Sequence, residues 1–568
     1  MRTIITDNAK SAVLFAQATN SHELGFRQYR GKDTIIVWTD GIPFKQQTII
    51  SGKFGRGGIA ILLQGETAMW FNIIKTAVKA SNQVIVATDS RDSAFWLLDF
   101  MNTGEIFDKL TRIHVREMTV KGVRESFDNQ EDMASILEKI VDDLYRIRTD
   151  GYLREETIRL IRQACGTDTY RLGRISTPLL CKVAERFKTG SELEPTAEYR
   201  VHFALEHQGK VFRFASQEAW DNPADANQLY IRLKTSNEPA VITKVKYGTC
   251  KVEAPRLFNM ASLLQTANDR HGLTLEQTME SAQRLFEWGL ITWPFGDADC
   301  ISYRKVRKIH QLLDFLHDHE TLGIYASRIS RLSEGCLRKC PSRGQHGILI
   351  TGMNLGYVAH RMNYADRLVY DLVCVRVIEA FSQPTVIQTI GAEAVIDGHP
   401  FSLKEKYTLH KGWKAVADKT VKKEEAIEGT LMWPTGCKVR YQAVSITKRV
   451  NKIATTYTEG ELLRDATTEK LGTTTEITDA INGLVTDGYL LRSDTGLKPT
   501  EKGLALYSIV KEQPIANPLI MSSLEHDIQT ECLVINSEAS FIESKMRVYE
   551  WAVEALAASP MLFPNKAN

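Results

Sequence analysis

Arg174, Ser176 and Thr177 lead into Pro178 in the run YRLGRISTPLLCKVAERF. A guanidinium and two hydroxyls at the start of a proline-opened helix suit a phosphate, because the first backbone N–H groups of a helix are unpaired and favour an anion. A second basic set, Arg304, Lys305, Arg307 and Lys308, lies on the helix predicted from Ser302 to His317, and Arg328, Arg331, Arg338, Lys339 and Arg343 follow it. Such a cluster is either a solvated face or, in a groove shaped for DNA, a phosphate-binding surface whose affinity falls with salt. Asp7 and Asp89 follow the predicted strands Arg2–Thr6 and Gln83–Ala87, at the edge where α/β sheets carry their function. They serve either as oxygen ligands for a cation or as caps of the helices that follow.

Positioning these groups takes several folded units. A chain of 568 residues is too long for one core and predicts roughly three to four units of about 150 residues. Lys plus Arg (71) nearly balances Asp plus Glu (69), so any nucleic-acid contact must come from local patches. The nine cysteines are scattered, with only Cys336 and Cys340 close together, which argues against a zinc ribbon and for reduced thiols. No apolar run reaches the ~18 residues of a membrane span, and MRTIITDNAK opens directly as a strand. The expectation is a cytoplasmic protein with no membrane partner.

Strands alternate with helices up to about residue 149 and predict a parallel α/β sheet. Alternating strands follow from Glu198 to Val252 and again over 384–445, with helix-rich sequence between them. In that helical part, Thr274 and Gln277 form a capping box for an amphipathic helix that Gly289 stops. The apolar run Leu290 to Trp293 and the turn Pro294 to Asp297 come next, which leaves position 293 at an expected exposed edge. The buried helix Arg367 to Phe381 closes this part, and a helix, hairpin and helix after Tyr457 read as a winged-helix-like unit.

The segment GLITWPFGD closely resembles the active-site segment of type IA DNA topoisomerases, where a tyrosine before the proline attacks a DNA phosphodiester. Here the tyrosine position is Trp293 and the following arginine position is Phe295. Other stretches are similar in the family's order. Gly173 to Leu180 resembles the Gly-Arg-Val-Gln-Thr-Pro motif that lines the single-strand groove, QHGILITG resembles the family's His-Glu-Ala-Ile-x-Pro-Thr motif with His346 at its histidine and Thr351 and Gly352 in place of its Pro and Thr, and LGTTTEI resembles a groove motif in which Glu476 and Ile477 replace threonine and arginine. His346 reads equally as a structural histidine or a phosphate contact. Ala87-Thr88-Asp89 resembles the start of the TOPRIM acidic array that binds Mg²⁺, with Arg91 and Ser93 in place of its later carboxylates, and Asp7 stands at the position of the family's first glutamate.

The resemblance implies a multidomain toroidal fold, α/β plus α and β segments. A TOPRIM α/β domain spans 1–149, helical groove domains span 150–197 and 447–568, halves of an antiparallel β arch span 198–252 and 384–446, and a helical insertion spans 253–383. It also implies an eroded or lost Mg²⁺ site at Asp7 and Asp89. The leading expectation is a DNA-binding or assembly module, a pseudoenzyme that takes single-stranded DNA through Arg174, Ser176, Thr177, Arg304, Lys305, Arg307, Lys308 and His346, with protein partners in a DNA-processing assembly. Trp293, Phe295 and Trp288 then either stack on unpaired bases or fill the pocket left by the chemistry. Two alternatives stand beside it: an active, ATP-independent topoisomerase whose nucleophile is displaced to Tyr303, and a protein scaffold without DNA binding.

Overall fold

The run Thr3 to Thr6 is buried on every residue, and it takes the centre of a six-stranded sheet. The structure of the chain is a computed structural model that describes residues 1–6, 8–25, 27–38, 44–48, 59–63, 67–87, 109–131, 153, 156–163, 170–207, 209–338, 346–417, 433–451, 453–523, 553–555 and 557–558. In the N-terminal unit, β1 (Arg2–Thr6) leads into α1 (Ala9–Thr19), whose first turn is capped by the Asn8 side chain accepting from the Ser11 amide. The strands β2 (His22–Gly25), β3 (Gln28–Arg30), β4 (Thr34–Trp38), β7 (Gln83–Ala87) and β8 (Leu110–Arg112) complete the order β2-β3-β4-β1-β7-β8. β5 (Phe44–Thr48) and β6 (Ile59–Leu63) form a separate antiparallel pair, and α2 (Thr67–Lys79) precedes β7.

The sheet is parallel from β4 to β8 but carries an antiparallel edge at β2 and β3, so it is mixed rather than wholly parallel. Glu131 bridges to Arg112 and lengthens the β8 edge, because the two residues exchange backbone hydrogen bonds.

The two strand-rich stretches join into one seven-stranded antiparallel sheet. β9 (Thr196–His207), β10 (Lys210–Ser216) and β11 (Ala240–Val252) come from the first stretch; β12 (Thr385–Ile396), β13 (His399–His410), β14 (Lys438–Val439) and β15 (Ala443–Asn451) come from the second. Their order, β14-β11-β12-β13-β10-β9-β15, interleaves the two. One face packs on Phe203, Phe214, Ile242, Ala392, Phe401 and Leu403, and is covered by the helix Pro223–Thr235.

Between those stretches lie the helices Met260–His271, Leu275–Glu287, Val306–His317 and Tyr364–Phe381. The last buries Val369, Val373, Val377 and Phe381, together with Glu379, whose carboxylate accepts from Arg376 at 3.0 Å. The C-terminal part runs Glu459–Thr468, Thr474–Thr486, the hairpin β16 (Leu490–Ser493) and β17 (Gly496–Pro499), and Glu501–Val510. It shares a continuous core with the insertion. At that junction buried Glu459 accepts from the Leu275 amide at 2.8 Å and from Arg492 at 2.6 Å. Among the described residues no helix is long and apolar enough to cross a membrane.

Candidate functional site

The Leu275–Glu287 helix is fixed at both ends. Thr274 and Gln277 exchange reciprocal hydrogen bonds of 3.0 and 3.1 Å at its start. At its end Gly289 adopts φ +72, and the amides of Gly289 and Leu290 return to the carbonyls of Phe286 and Leu285 at 2.8 and 2.9 Å. A Cβ at position 289 would also lie 2.7 Å from the Met118 carbonyl oxygen, so this turn is pressed against the N-terminal unit. The chain then runs inward. Ile291 bridges to Ile350, and Thr292 exchanges hydrogen bonds with Leu349 at 2.8 and 3.0 Å.

Trp293 follows, and it is half-buried rather than set at an exposed edge. Its amide donates to the Arg116 carbonyl at 2.8 Å, and its ring meets His114, Phe286 and Phe295 edge-on at 4.8, 5.1 and 5.1 Å. Edge-to-face pairs of this kind add to the value of burying the rings. The exposed-edge expectation fails because half of the cage comes from residues 114–116, which no local pattern around 293 could supply. Trp288 caps the helix and packs half-buried against the insertion core.

Beside this cage a cavity of about 140 Å³ opens between the N-terminal unit and the insertion, with His114, Arg116, Glu117, Glu131, Lys305 and His346 in its wall. Burial lowers the pKa of Arg116, and it lowers that of Lys308 to about 8. Lys308 is held on the Glu117 carboxylate. His346 is 7% exposed. Its Nδ1–H donates to the Gly347 carbonyl at 2.8 Å, and Nε2 has no hydrogen-bond partner among the described residues. Burial first, then the positive field of Lys305, depresses its pKa to about 3, so the ring is neutral at physiological pH. Nε2 therefore presents an acceptor.

The other expected phosphate contacts are divided between surface and interior. Arg304 and Arg307 are exposed, Lys305 is half-buried, and Tyr303 is 57% exposed on a helical turn outside the Trp293 cage. Arg174 is 2% exposed. It donates to the Leu471 carbonyl at 3.1 Å and faces Glu476 at 3.5 Å. The second Glu476 oxygen accepts from the Thr473 amide and hydroxyl, both at 2.8 Å, in the capping box of the Thr474–Thr486 helix. Thr177 is buried and accepts from the Gly173 amide at 3.0 Å, while Ser176 is half-buried. Arg174 and Thr177 thus turn inward onto 471–476 and their own loop. Asp7 and Asp89 lie outside the described residues; among the described ones no three His, Cys, Asp or Glu side chains converge as metal ligands.

A sequence profile of the DNA topoisomerase family matches residues 153–530. The chain belongs to the type IA DNA topoisomerase family. It is 23% identical over 417 residues to DNA topoisomerase 3 of Bacillus licheniformis, covering 70% of this chain and 56% of that one. It is 25% identical over 416 residues to DNA topoisomerase 1 of Aquifex aeolicus, covering 70% and 71%. Against the Bacillus subtilis topoisomerase 3 it spans 50% of the relative's length, so the chain covers about half of these Bacillus relatives. Its fold matches full-length topoisomerase I from Thermotoga maritima with a TM-score of 0.75 at 16% identity, over 98% of this chain and 90% of that one. The residues that sequence reasoning missed at the family's 293 position are His114, Arg116 and Glu117. Their signal was the string RIHVREMT after β8, which has alternating polarity and ends beside a helix.

Proposed function

We propose that this chain is a topoisomerase-like pseudoenzyme that binds single-stranded DNA without cutting it and serves as a binding or assembly module. The observation that carries this reading is the surroundings of Trp293. By resemblance this is the nucleophile's position, and an indole offers no oxygen to attack phosphorus. Three rings pack its edges and its backbone is tied to Arg116, which favours a filled pocket over a platform for bases. Phe295 is one of those rings and carries no charge to balance a reacting phosphate. DNA as the partner is supported by the relatives, which are named DNA topoisomerases, and by exposed Arg304 and Arg307 beside the cleft.

A hard cation takes several converging oxygens. Glu125, Asp128 and Glu131 line this wall beside Arg116 and Lys305, and Glu117 is held by Lys308, but among the described residues no three His, Cys, Asp or Glu side chains converge as metal ligands. The chain's own groups attract a phosphate backbone through Arg304, Lys305 and Arg307, whereas His346 Nε2 is buried.

The test is relaxation of negatively supercoiled plasmid with Mg²⁺, run beside binding of a labelled single-stranded oligonucleotide over a salt series. Salt-sensitive binding without relaxation is the expected result. Relaxation that is lost in Tyr303→Phe would overturn the reading and establish a displaced nucleophile. Absence of both activities would leave a frame kept for protein partners.

A further inference from the structure

The seven-stranded sheet has a second face, opposite Phe203, Phe214 and Leu403. Strand register assigns the residues on it. Lys246 pairs with Gly391 and Gly391 with Lys404, while Ala215 pairs with Ser402 and, on the other side, with His202. Continuing the β10 register by one pleat sets Arg213 beside Lys404, and Arg213 itself pairs with Ala204, which pairs with Ala443. One row across six strands therefore reads Lys246, Gly391, Lys404, Arg213, Ala204, Ala443. Its other members are the smallest side chains, glycine and alanine.

Neighbouring rows extend the pattern. Lys406 stands one pleat from Lys404 opposite Thr389, and Arg449 and Arg200 occupy the β15 and β9 end. Lys246, Lys404, Lys406, Arg213 and Arg449 are exposed, and among the described residues none has a carboxylate within ion-pair distance. Three acids share this face: Glu198 pairs with Arg449 at the β15 and β9 end, Glu393 on β12 lies 3.9 Å from Lys244, and Glu206 accepts from Gln442 at 2.8 Å. His202 feels the resulting field, since its pKa is lowered by burial first and then by Arg200 and Arg213. Like charges set side by side on a sheet oppose folding, so this arrangement has no stabilising role of its own.

We infer that this open sheet face is a binding surface for the phosphate backbone of duplex DNA. The inference rests on the DNA-binding reading above but moves the main contact away from the helical groove, where Arg174 is consumed by Glu476. Charge complementarity names a polyanion. The absence of aromatic residues from these rows argues against single strands, whose binders rely on base stacking. Six strands at about 4.8 Å spacing span roughly 24 Å, close to seven base pairs at a rise of about 3.4 Å. Gly391 between Lys246 and Lys404, and Ala204 and Ala443 beyond Arg213, leave the floor beside the cations low enough for a backbone to approach.

The full chain and its Lys246→Glu, Lys404→Glu, Arg213→Glu variant would be titrated with a labelled duplex and with a labelled oligothymidine over a salt series. An Arg304→Glu, Arg307→Glu variant serves as comparator, and circular dichroism verifies folding of each. The inference expects duplex affinity to fall at least roughly tenfold in the arch variant, with a log–log salt slope shallower by about 2 to 3. Oligothymidine binding should change far less. Duplex binding that is unchanged in the arch variant but lost in the comparator would overturn the inference and leave the DNA-binding reading standing. Wild-type binding to oligothymidine alone would do the same. No binding of either probe at low salt would overturn both.

Discussion

Arg174, ahead of the helix Ser176–Glu192, and Arg213, on β10, are both arginines, yet they have opposite fates. Arg174 is withdrawn behind Leu471 and Glu476 and joins two segments far apart in sequence, whereas Arg213 stands in solvent among other cations with no counter-ion among the described residues. A cation with an acceptor inside the chain serves the fold. One held beside like charges without such an acceptor is available to a ligand. The motif around Arg174 resembles a phosphate contact in sequence, but a single acidic residue at 476 is enough to reassign it.

The comparison can be broken at either end. The largest effect is expected from Arg174→Ala, which leaves the Leu471 carbonyl unsatisfied and removes the cation facing Glu476. With Glu476 only partly buried and retaining its capping bonds, the cost is about 2–3 kcal/mol, read as a lower urea midpoint. The salt slope for DNA binding should stay unchanged. A shallower slope with unaltered stability would return Arg174 to the DNA-contact class.

Trp293→Ala should cost about 2 kcal/mol, because a half-buried ring leaves three neighbours without their edge contacts. Thermal unfolding measures it. A neutral result would mean that the cage does not hold the N-terminal unit on the insertion, and base stacking would regain ground.

The smallest effect is a pH dependence. The folded-state pKa of His346 is depressed to about 3 while the unfolded ring titrates near 6.5, so only the unfolded state takes up the proton between those values. Stability is full above about pH 6.5 and declines as pH falls toward 3. His346→Gln should flatten part of that decline in denaturation curves taken across the range. Lys308 does not interfere, since its lowered pKa of about 8 acts in a window above that pH. An identical slope in the variant would mean that the ring is not neutral in the fold.

The fold was readable where the pattern is local. The capping box at Thr274, the stop at Gly289 and the buried helix ending at Phe381 all follow from side-chain period and turn chemistry. The antiparallel edge at β2 and β3 was not readable, because short strands with polar sequence carry little alternation. At the candidate site the sequence identified position 293 but not its cage, since His114 and Arg116 reach it from another unit. The same reason hid the cationic rows of the sheet. Lys246, Lys404 and Arg213 are unremarkable in their own strands and become neighbours only once the register is known.

The interleaving of that sheet also constrains how the chain is made. β9 finds its outer partner only when Ala443 to Asn451 have emerged, and β11 waits for β12 until the whole helical insertion has been synthesised. Pairings so distant in sequence close slowly, because the intervening chain must be ordered before they are rewarded. The early strands therefore spend much of synthesis with open edges, and lysines and arginines along them act as gatekeepers against pairing with a neighbouring nascent chain.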